Sequence, residues 1–242
     1  MLAIYKREMR SYFTTWTGYV FLAVAICLSA FIFSMSTILS STSELSGYFS
    51  IIVYGMVVFL PILTMKSFSE ERKLKTEQLL MTAPISSWEM VLGKYLSAIT
   101  MLGIYLISTL IFFVPLFEYA VVDVVNGYGP NVALMFGNML AMFLIGACFI
   151  AVGIFISSLT ENQFASIVLT IVILLAFLLI GSLNSLIENE SIRVVLDWFS
   201  IYSRYQNFTY GIFDISALFY YISVAGVFVF LTTRVFESRR YN

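Results

Sequence analysis

The stretch KSFSEERKLKTEQLLMTAPISSWEMVLGK, Lys66 to Lys94, carries nine charged side chains, while the runs on either side of it, Leu45 to Met65 and Tyr95 to Phe117, carry none. That contrast decides the fold. A helix rising about 1.5 Å per residue needs roughly 20 apolar residues to cross about 30 Å of hydrocarbon, and both flanking runs are long enough. The charged stretch is then a connection in water between two membrane helices.

Working outward, further uncharged runs lie at Ser11 to Ser43, Val124 to Thr160, Asn162 to Ile187 and Ile215 to Thr233. Trp16 and Tyr19 read as an interfacial belt that trims the first run, and NGYGPN at Asn126 to Asn131 is turn chemistry that trims the fourth. Six helical spans are predicted, at about 17–39, 47–65, 95–117, 132–160, 163–187 and 215–233. Continuous apolar runs, not short alternating ones, exclude an outer-membrane barrel, because lipid-facing backbone must satisfy its own hydrogen bonds. The expected fold is all-α and integral to the membrane, with the whole chain as one transmembrane domain. Hydrophobic residues make up 60% of the 242 and charged residues 11%, a composition that a water-facing surface does not carry.

Placing the N-terminus inside puts eleven of the thirteen lysines and arginines on the inner side and leaves only Arg193 and Arg204 outside. This satisfies the positive-inside rule and predicts both termini in the cytoplasm. A cleaved signal peptide fits poorly, since the first apolar run is longer than a leader's core and is followed by further spans. Ahead of that run, Leu2, Tyr5, Met9, Tyr12 or Phe13, and Trp16 recur at helical spacing, with Lys6 and Arg10 on another face. The pattern predicts a short helix lying along the cytoplasmic interface.

Chemistry is constrained by what is missing. The chain has no histidine, which removes imidazole acid-base catalysis, HExxH zinc sites and Ser-His-Asp triads. Cys27 and Cys148 fall inside spans, with no CxxC spacing for a metal. The only Gly-Lys, at Gly93 and Lys94, is followed by Tyr95 and has Trp88 where a phosphate loop needs its first glycine, so this chain is not expected to hydrolyse ATP. All six trimmed spans lack Asp, Glu, Lys, Arg and His, which argues against a proton- or ion-coupled carrier with a charged midplane site. A net charge of -1 gives no sign of nucleic-acid binding.

Within the charged stretch, Ser69 is positioned to cap a helix whose first turn carries Glu70 and Glu71, with Arg72, Lys73 and Lys75 beyond and Ala83-Pro84 as the stop. Two readings of that helix stand on its physics: a docking element for a soluble partner, or a solvated loop between spans. The run PILTMKSFSEERKLKTEQLLMTAPISSWEMVLGKYL, Pro61 to Leu96, resembles the second span and first cytoplasmic loop of type-2 ATP-binding cassette (ABC) transporter permeases. Glu71, Arg72, Thr76, Glu77, Leu79, Leu80, Pro84, Gly93 and Lys94 match the family pattern, and Lys75 stands where the family usually has glycine. KREMRSYFTTWTGYV near the start is similar to the family's entry helix, and NFTYGIFDISALFYY, Asn207 to Tyr221, to its approach to the sixth span. The nearest subgroup is the small six-helix permeases of gliding motility and nitrous-oxide-reductase maturation.

The resemblance implies a bacterial inner-membrane transporter half that exports its substrate. It pairs with a second permease, as homodimer or heterodimer, and sits on two ABC ATPase subunits that hold ATP and magnesium, with no cofactor in this chain. It also implies a cytoplasmic coupling helix, with docking residues Glu70, Glu71, Arg72, Thr76, Leu79, Leu80 and Pro84, and outer re-entrant helices between spans five and six. Alternatives are an ATPase-driven mechanical transmitter or scaffold that moves no solute, and a stand-alone carrier or channel. In the outer connection, Ile192, Val195, Leu196 and Phe199 form an apolar stripe followed by Tyr202, which reads either as helices dipping into the outer leaflet or as an aromatic belt. Gly103, Gly146, Gly153, Gly181, Ala147 and Ala151 offer close helix contacts, within the subunit or across a dimer.

Overall fold

The computed structural model describes residues 1–39, 45–75, 86–119, 132–183, 200–212 and 214–241. Among them there are no strands. Helix α1, Leu2–Thr14, turns at Thr15 into α2, Trp16–Phe33, which opens into a π turn at Ser34–Ile38. Next come α3, Ser46–Thr64, the short α4, Ser69–Lys73, and α5, Ser87–Thr109. A 3-10 turn at Leu110–Phe113 leads from α5 into α6, Val114–Tyr119, tightening just ahead of Pro115, which has no N–H to continue the ladder. The chain is completed by α7, Val132–Leu159, α8, Gln163–Leu183, α9, Ile201–Thr209, and α10, Ile215–Tyr241.

Six of these segments are long and apolar enough to cross a membrane: Trp16–Ile38, Ser46–Lys73, Ser87–Leu116, Val132–Leu159, Gln163–Gly181 and Ile215–Arg239. The all-α, six-span membrane fold is therefore established. Helix α7 is apolar on every side and is the buried centre, packing against α3, α5, α8, α9 and α10. The small residues seen in the sequence are mostly used within the chain. A Cβ on Gly153 would stand 2.3 Å from Thr64 Oγ1 of α3, one on Gly146 would stand 2.5 Å from Leu102 Cδ2 of α5, and one on Gly181 would stand 2.5 Å from Ser200 Oγ. Gly103 faces open space.

Aromatic rings join α2, α3 and α5. Phe21, Phe59 and Tyr105 meet at centroid distances of 5.0 to 6.5 Å, and Phe33, Tyr48, Phe49 and Phe113 form a second cluster. The Tyr105 hydroxyl is satisfied by Ser29 Oγ at 2.6 Å, which makes a fully buried phenol acceptable at this depth.

Helix α1 buries Ile4 and Tyr12 against the bundle, whereas Leu2, Phe13 and Trp16 point away from it, Trp16 with 85% of its surface free. Glu8 lies between Ile4 and Tyr12 on the inward face, so a carboxylate, not an apolar side chain, occupies the middle of the contact. The corner into α2 closes over Gly18, where a Cβ would lie 2.4 Å from the Tyr12 carbonyl oxygen, leaving no room for any side chain. Both end segments share one end of the bundle. Arg7 of α1 reaches Glu71 after α3, and Phe236 of α10 packs on Phe68 at 5.9 Å.

Candidate docking end

The chain leaves α3 through a turn at Met65–Phe68 that is held by Ser157 of α7. The Ser157 hydroxyl accepts from the backbone N–H of Phe68 at 3.1 Å and of Ser69 at 3.2 Å, and donates to the Met65 carbonyl at 3.2 Å. Free N–H groups at the start of α4 are thus satisfied from another helix. Ser69 was expected as the cap; Phe68 takes that position, and the Ser69 hydroxyl turns back to the Met65 carbonyl.

The helix expected to run on toward Ala83-Pro84 stops at Lys73. Lys75 adopts φ of 56°, the left-handed conformation, with its N–H on the Arg72 carbonyl at 3.1 Å. This is the position where lysine replaces the family's glycine, and the geometry explains the family preference: glycine takes this conformation without the Cβ clash that costs an L-residue about 1–2 kcal/mol. Lys75→Gly should therefore leave the fold intact and raise stability by roughly 0.5 kcal/mol, the relief being partly offset by a freer unfolded chain. Lys75→Val should lower it, and unfolding midpoints of the two variants check the sign. Thr76, Leu79, Leu80 and Pro84 lie outside the described residues.

Four charges lock this end together. Lys94, two turns into α5, is only 2% exposed, and its Nζ lies 2.9 Å from Glu71 Oε1 and 3.2 Å from Glu8 Oε1. It also donates to the Ser67 carbonyl and lies 4.9 Å from the centre of the Phe68 ring. Arg7, half exposed, closes the set at 2.7 Å from Glu71 and 2.8 Å from Glu8. A buried ammonium is tolerated only with its charge paired and its protons donated, and here two carboxylates, a carbonyl and a ring do both. Burial alone opposes ionisation of Glu8, but Lys94 and Arg7 outweigh it and hold that carboxyl below the usual carboxylate range. The quartet ties α1, the turn after α3, and α5 into one unit.

The sequence-predicted residues divide accordingly. Glu71 is drawn inward to the quartet. Arg72 bonds Glu161 at 2.7 Å and the Leu159 carbonyl at 3.1 Å, fastening α4 to the connection between α7 and α8. Glu70 points outward, loosely paired with Lys66 at 3.9 Å, and Leu74 beside it is exposed. A cavity of about 280 Å³ opens between α1 and α4, walled by Arg7, Glu8, Tyr12, Glu70, Leu74 and Lys94. Sequence reasoning missed Glu8, Ser157 and Glu161. Only Glu8 left a trace: it sits at i+4 from Ile4 and i−4 from Tyr12, a carboxylate on a helical stripe.

At the opposite end, Tyr202 of α9 packs against Tyr54 of α3 with ring centres 5.3 Å apart, and Tyr205 donates to the Phe49 carbonyl at 2.9 Å. Ile192, Val195, Leu196 and Phe199 lie outside the described residues. No group of three metal-ligating side chains occurs among the described residues, and both cysteines are free.

The fold and this charge-locked end define a multi-pass membrane protein with an ordered polar platform at one end of its helices. Residues 45–237 match the family described as ABC-2 family transporter protein, and the chain belongs to that family. It is thus a permease subunit of an ABC transporter, a class of membrane subunit that associates with ATPase subunits. No curated protein matches the chain.

Proposed function

We propose that the end bearing the quartet faces the cytoplasm of a bacterium and receives the ATPases. Two copies of this chain, or this chain and a second permease, sit in the inner membrane on two ATPase subunits that supply ATP and magnesium, and the pair exports its substrate between them. The supporting observation is the quartet: a push on the segment after α3 reaches α5 through Glu71 and Lys94, and reaches α1 through Glu8 and Arg7. Rigid transmission of that kind is what a closing ATPase dimer needs in order to move spans. The outward side of the segment, with Glu70, Lys73 and Leu74, together with Thr76, Leu79, Leu80 and Pro84, forms the docking surface, and Glu71 and Arg72 hold it in place. Both termini are cytoplasmic, and α9 enters the membrane from the outer side. This chain carries no cofactor and catalyses no reaction itself.

Affinity purification in a gentle detergent tests the reading. An ATPase with a phosphate-binding loop should copurify with the wild-type chain, and the charge reversals Glu70→Lys and Lys73→Glu should reduce its recovery about 10-fold, as expected when the register of a charged contact is inverted. Recovery of the chain without any ATPase, with transport unaffected by deletion of neighbouring ATPase genes, would overturn it in favour of a stand-alone carrier. An ATPase partner with no solute moved by reconstituted vesicles would mark a mechanical transmitter.

A further inference from the structure

Between α5, α7 and α10 lies a cavity of about 230 Å³, walled by Leu92 and Tyr95 of α5, Ala147 of α7, and Ile222, Gly226 and Val229 of α10. The two phenols on its wall are engaged elsewhere. Tyr95 donates to the Ala147 carbonyl at 3.2 Å and Tyr221 to the Ile201 carbonyl at 2.9 Å, so neither offers its proton to a guest. A cavity lined in this way suits hydrocarbon and not water. Its residues all fall within the spans Ser87–Leu116, Val132–Leu159 and Ile215–Arg239, and Ile222 and Gly226 are exposed at its outer edge. The open side therefore faces the bilayer.

Two rows of side chains carry this groove to the end that bears the quartet. On α5, Trp88, Leu92 and Tyr95 follow one another at four and three positions; on α10, Ile222, Gly226, Phe230 and Arg234 recur at every fourth and all are exposed. Trp88 and Phe230 meet with ring centres 5.8 Å apart, each about 6 Å along its helix from a cavity residue, Leu92 and Gly226. They form the mouth of the groove. A tryptophan at the end of a span marks the level of the lipid head groups. The Arg234 guanidinium carbon stands 5.0 Å from the centre of the Phe230 ring, and its side chain is 65% exposed. Its Nη1 lies 3.2 Å from Glu237 Oε2, so the mouth presents a cation and an anion side by side.

We propose that a bilayer phospholipid with a primary-amine head group occupies this groove, one acyl chain in the cavity, its phosphate on Arg234 and its ammonium on Glu237. Charge complementarity selects that head. Guanidinium has a fork of donors that fits a phosphate, one of them on Glu237, and a carboxylate accepts several bonds, so each partner has capacity left for the lipid. A purely anionic head would meet Glu237 as a like charge, and a quaternary ammonium has no proton to give it. The spacing fits one molecule: Arg234 lies about 12 Å along α10 from Gly226, with Trp88 and Phe230 between the two levels. The proposal needs only the membrane spans and not the ATPases.

Thermal unfolding of the full chain in a neutral maltoside detergent tests it, with phosphatidylethanolamine, phosphatidylcholine and phosphatidylglycerol of one short chain length, and free phosphoethanolamine, as probes. Phosphatidylethanolamine near 100 times its Kd should raise Tm by about 5 °C or more, and the other two lipids by less. Arg234→Gln should weaken its binding about 10-fold, and Glu237→Gln should remove its advantage over phosphatidylcholine. Both variants should fold, since an exposed pair of this kind contributes little to stability. Lys6→Gln, on the exposed side of α1, should respond as wild type does. Gly226→Leu provides an independent variant, because Gly226 lines the cavity and a Cβ there meets nothing within 4 Å. It should fold and lose the response. The same lipid preference in wild type, Arg234→Gln and Glu237→Gln would overturn the head assignment. A full response in Gly226→Leu, or one to phosphoethanolamine matching that to the lipid, would overturn the chain assignment. Conversion of a dimer to a monomer by Gly226→Leu, with the lipid response unchanged, would overturn the proposal in favour of a second copy covering the groove. The assay contains no ATPase, so its failure leaves subunit association intact, and failed association leaves the lipid response readable.

Discussion

Replacing Lys94 with alanine should destabilise the protein by about 3–5 kcal/mol and uncouple ATP hydrolysis from transport, the largest effect expected of any single charge in the chain. The loss is not that of one attractive contact. Glu8 and Glu71, whose side chains are each 15% exposed, would remain facing each other with only the half-exposed Arg7 between them, and the Ser67 carbonyl would lose its donor. Truncating one member of a buried charge group strands the others, whereas replacing the whole group by neutral side chains of similar size is often tolerated. The combination Lys94→Met, Glu8→Gln and Glu71→Gln should therefore recover most of the stability lost in Lys94→Ala. Denaturant unfolding in mild micelles gives the first quantity, and ATP hydrolysed per substrate moved gives the second. If the triple variant is stable yet uncoupled, the quartet transmits motion; if it is stable and fully coupled, the quartet is only a fastening. A Lys94→Ala protein as stable as wild type would show that Arg7 alone neutralises both carboxylates.

Gly153→Ala should cost about 1–3 kcal/mol, although the same exchange in an open helix is favourable by nearly 1 kcal/mol. The added carbon would lie 2.3 Å from Thr64 Oγ1 and 2.9 Å from Thr64 Cβ, and Thr64 sits at the last turn of α3 just before the platform begins. Neither helix can yield cheaply, because α7 is buried from Ile145 to Ile154 and α3 is held by the aromatic clusters. Thr64→Ala removes the nearer atom, so the double variant should recover part of the loss, a coupling that a mutant cycle measures. Gly103→Ala and Gly137→Ala supply the contrast. A Cβ at either meets nothing within 4 Å, and both should be neutral or slightly stabilising. If Gly153→Ala proved as benign as these two, the close approach of α3 to α7 would not be a determinant of the fold.

The helical spans were legible because hydrocarbon imposes a one-dimensional rule: a run of about 20 residues without charge declares itself whatever its neighbours are. The charged stretch from Lys66 to Lys94 was legible for the complementary reason. Its internal structure was less so. Ser69 followed by Glu70 and Glu71 is a good local helix start, yet the N–H groups there are satisfied by Ser157, 88 positions away from Ser69. Nothing local announces such a partner. The inward face of α1 was not legible for a similar reason, since apolar periodicity cannot tell a face that meets lipid from one that meets protein, and Glu8 on the protein side is matched by Lys94 and Arg7.

Arg204 marks the limit most clearly. YSRYQNF reads as a polar, aromatic segment outside the spans, and nothing in it announces that its arginine stacks on the Tyr220 ring of α10. Sequence by itself determined the number of membrane helices, their apolar character, the location of the basic residues along the chain and the resemblance to ABC-2 permeases, because each depends on composition or on motif within a single segment. The tertiary structure alone decided which charges are buried and paired, and that α9 folds back onto α3 and α7. Those depend on which segments fold back on one another, and the cost of burying a charge is set by partners that are distant in the chain.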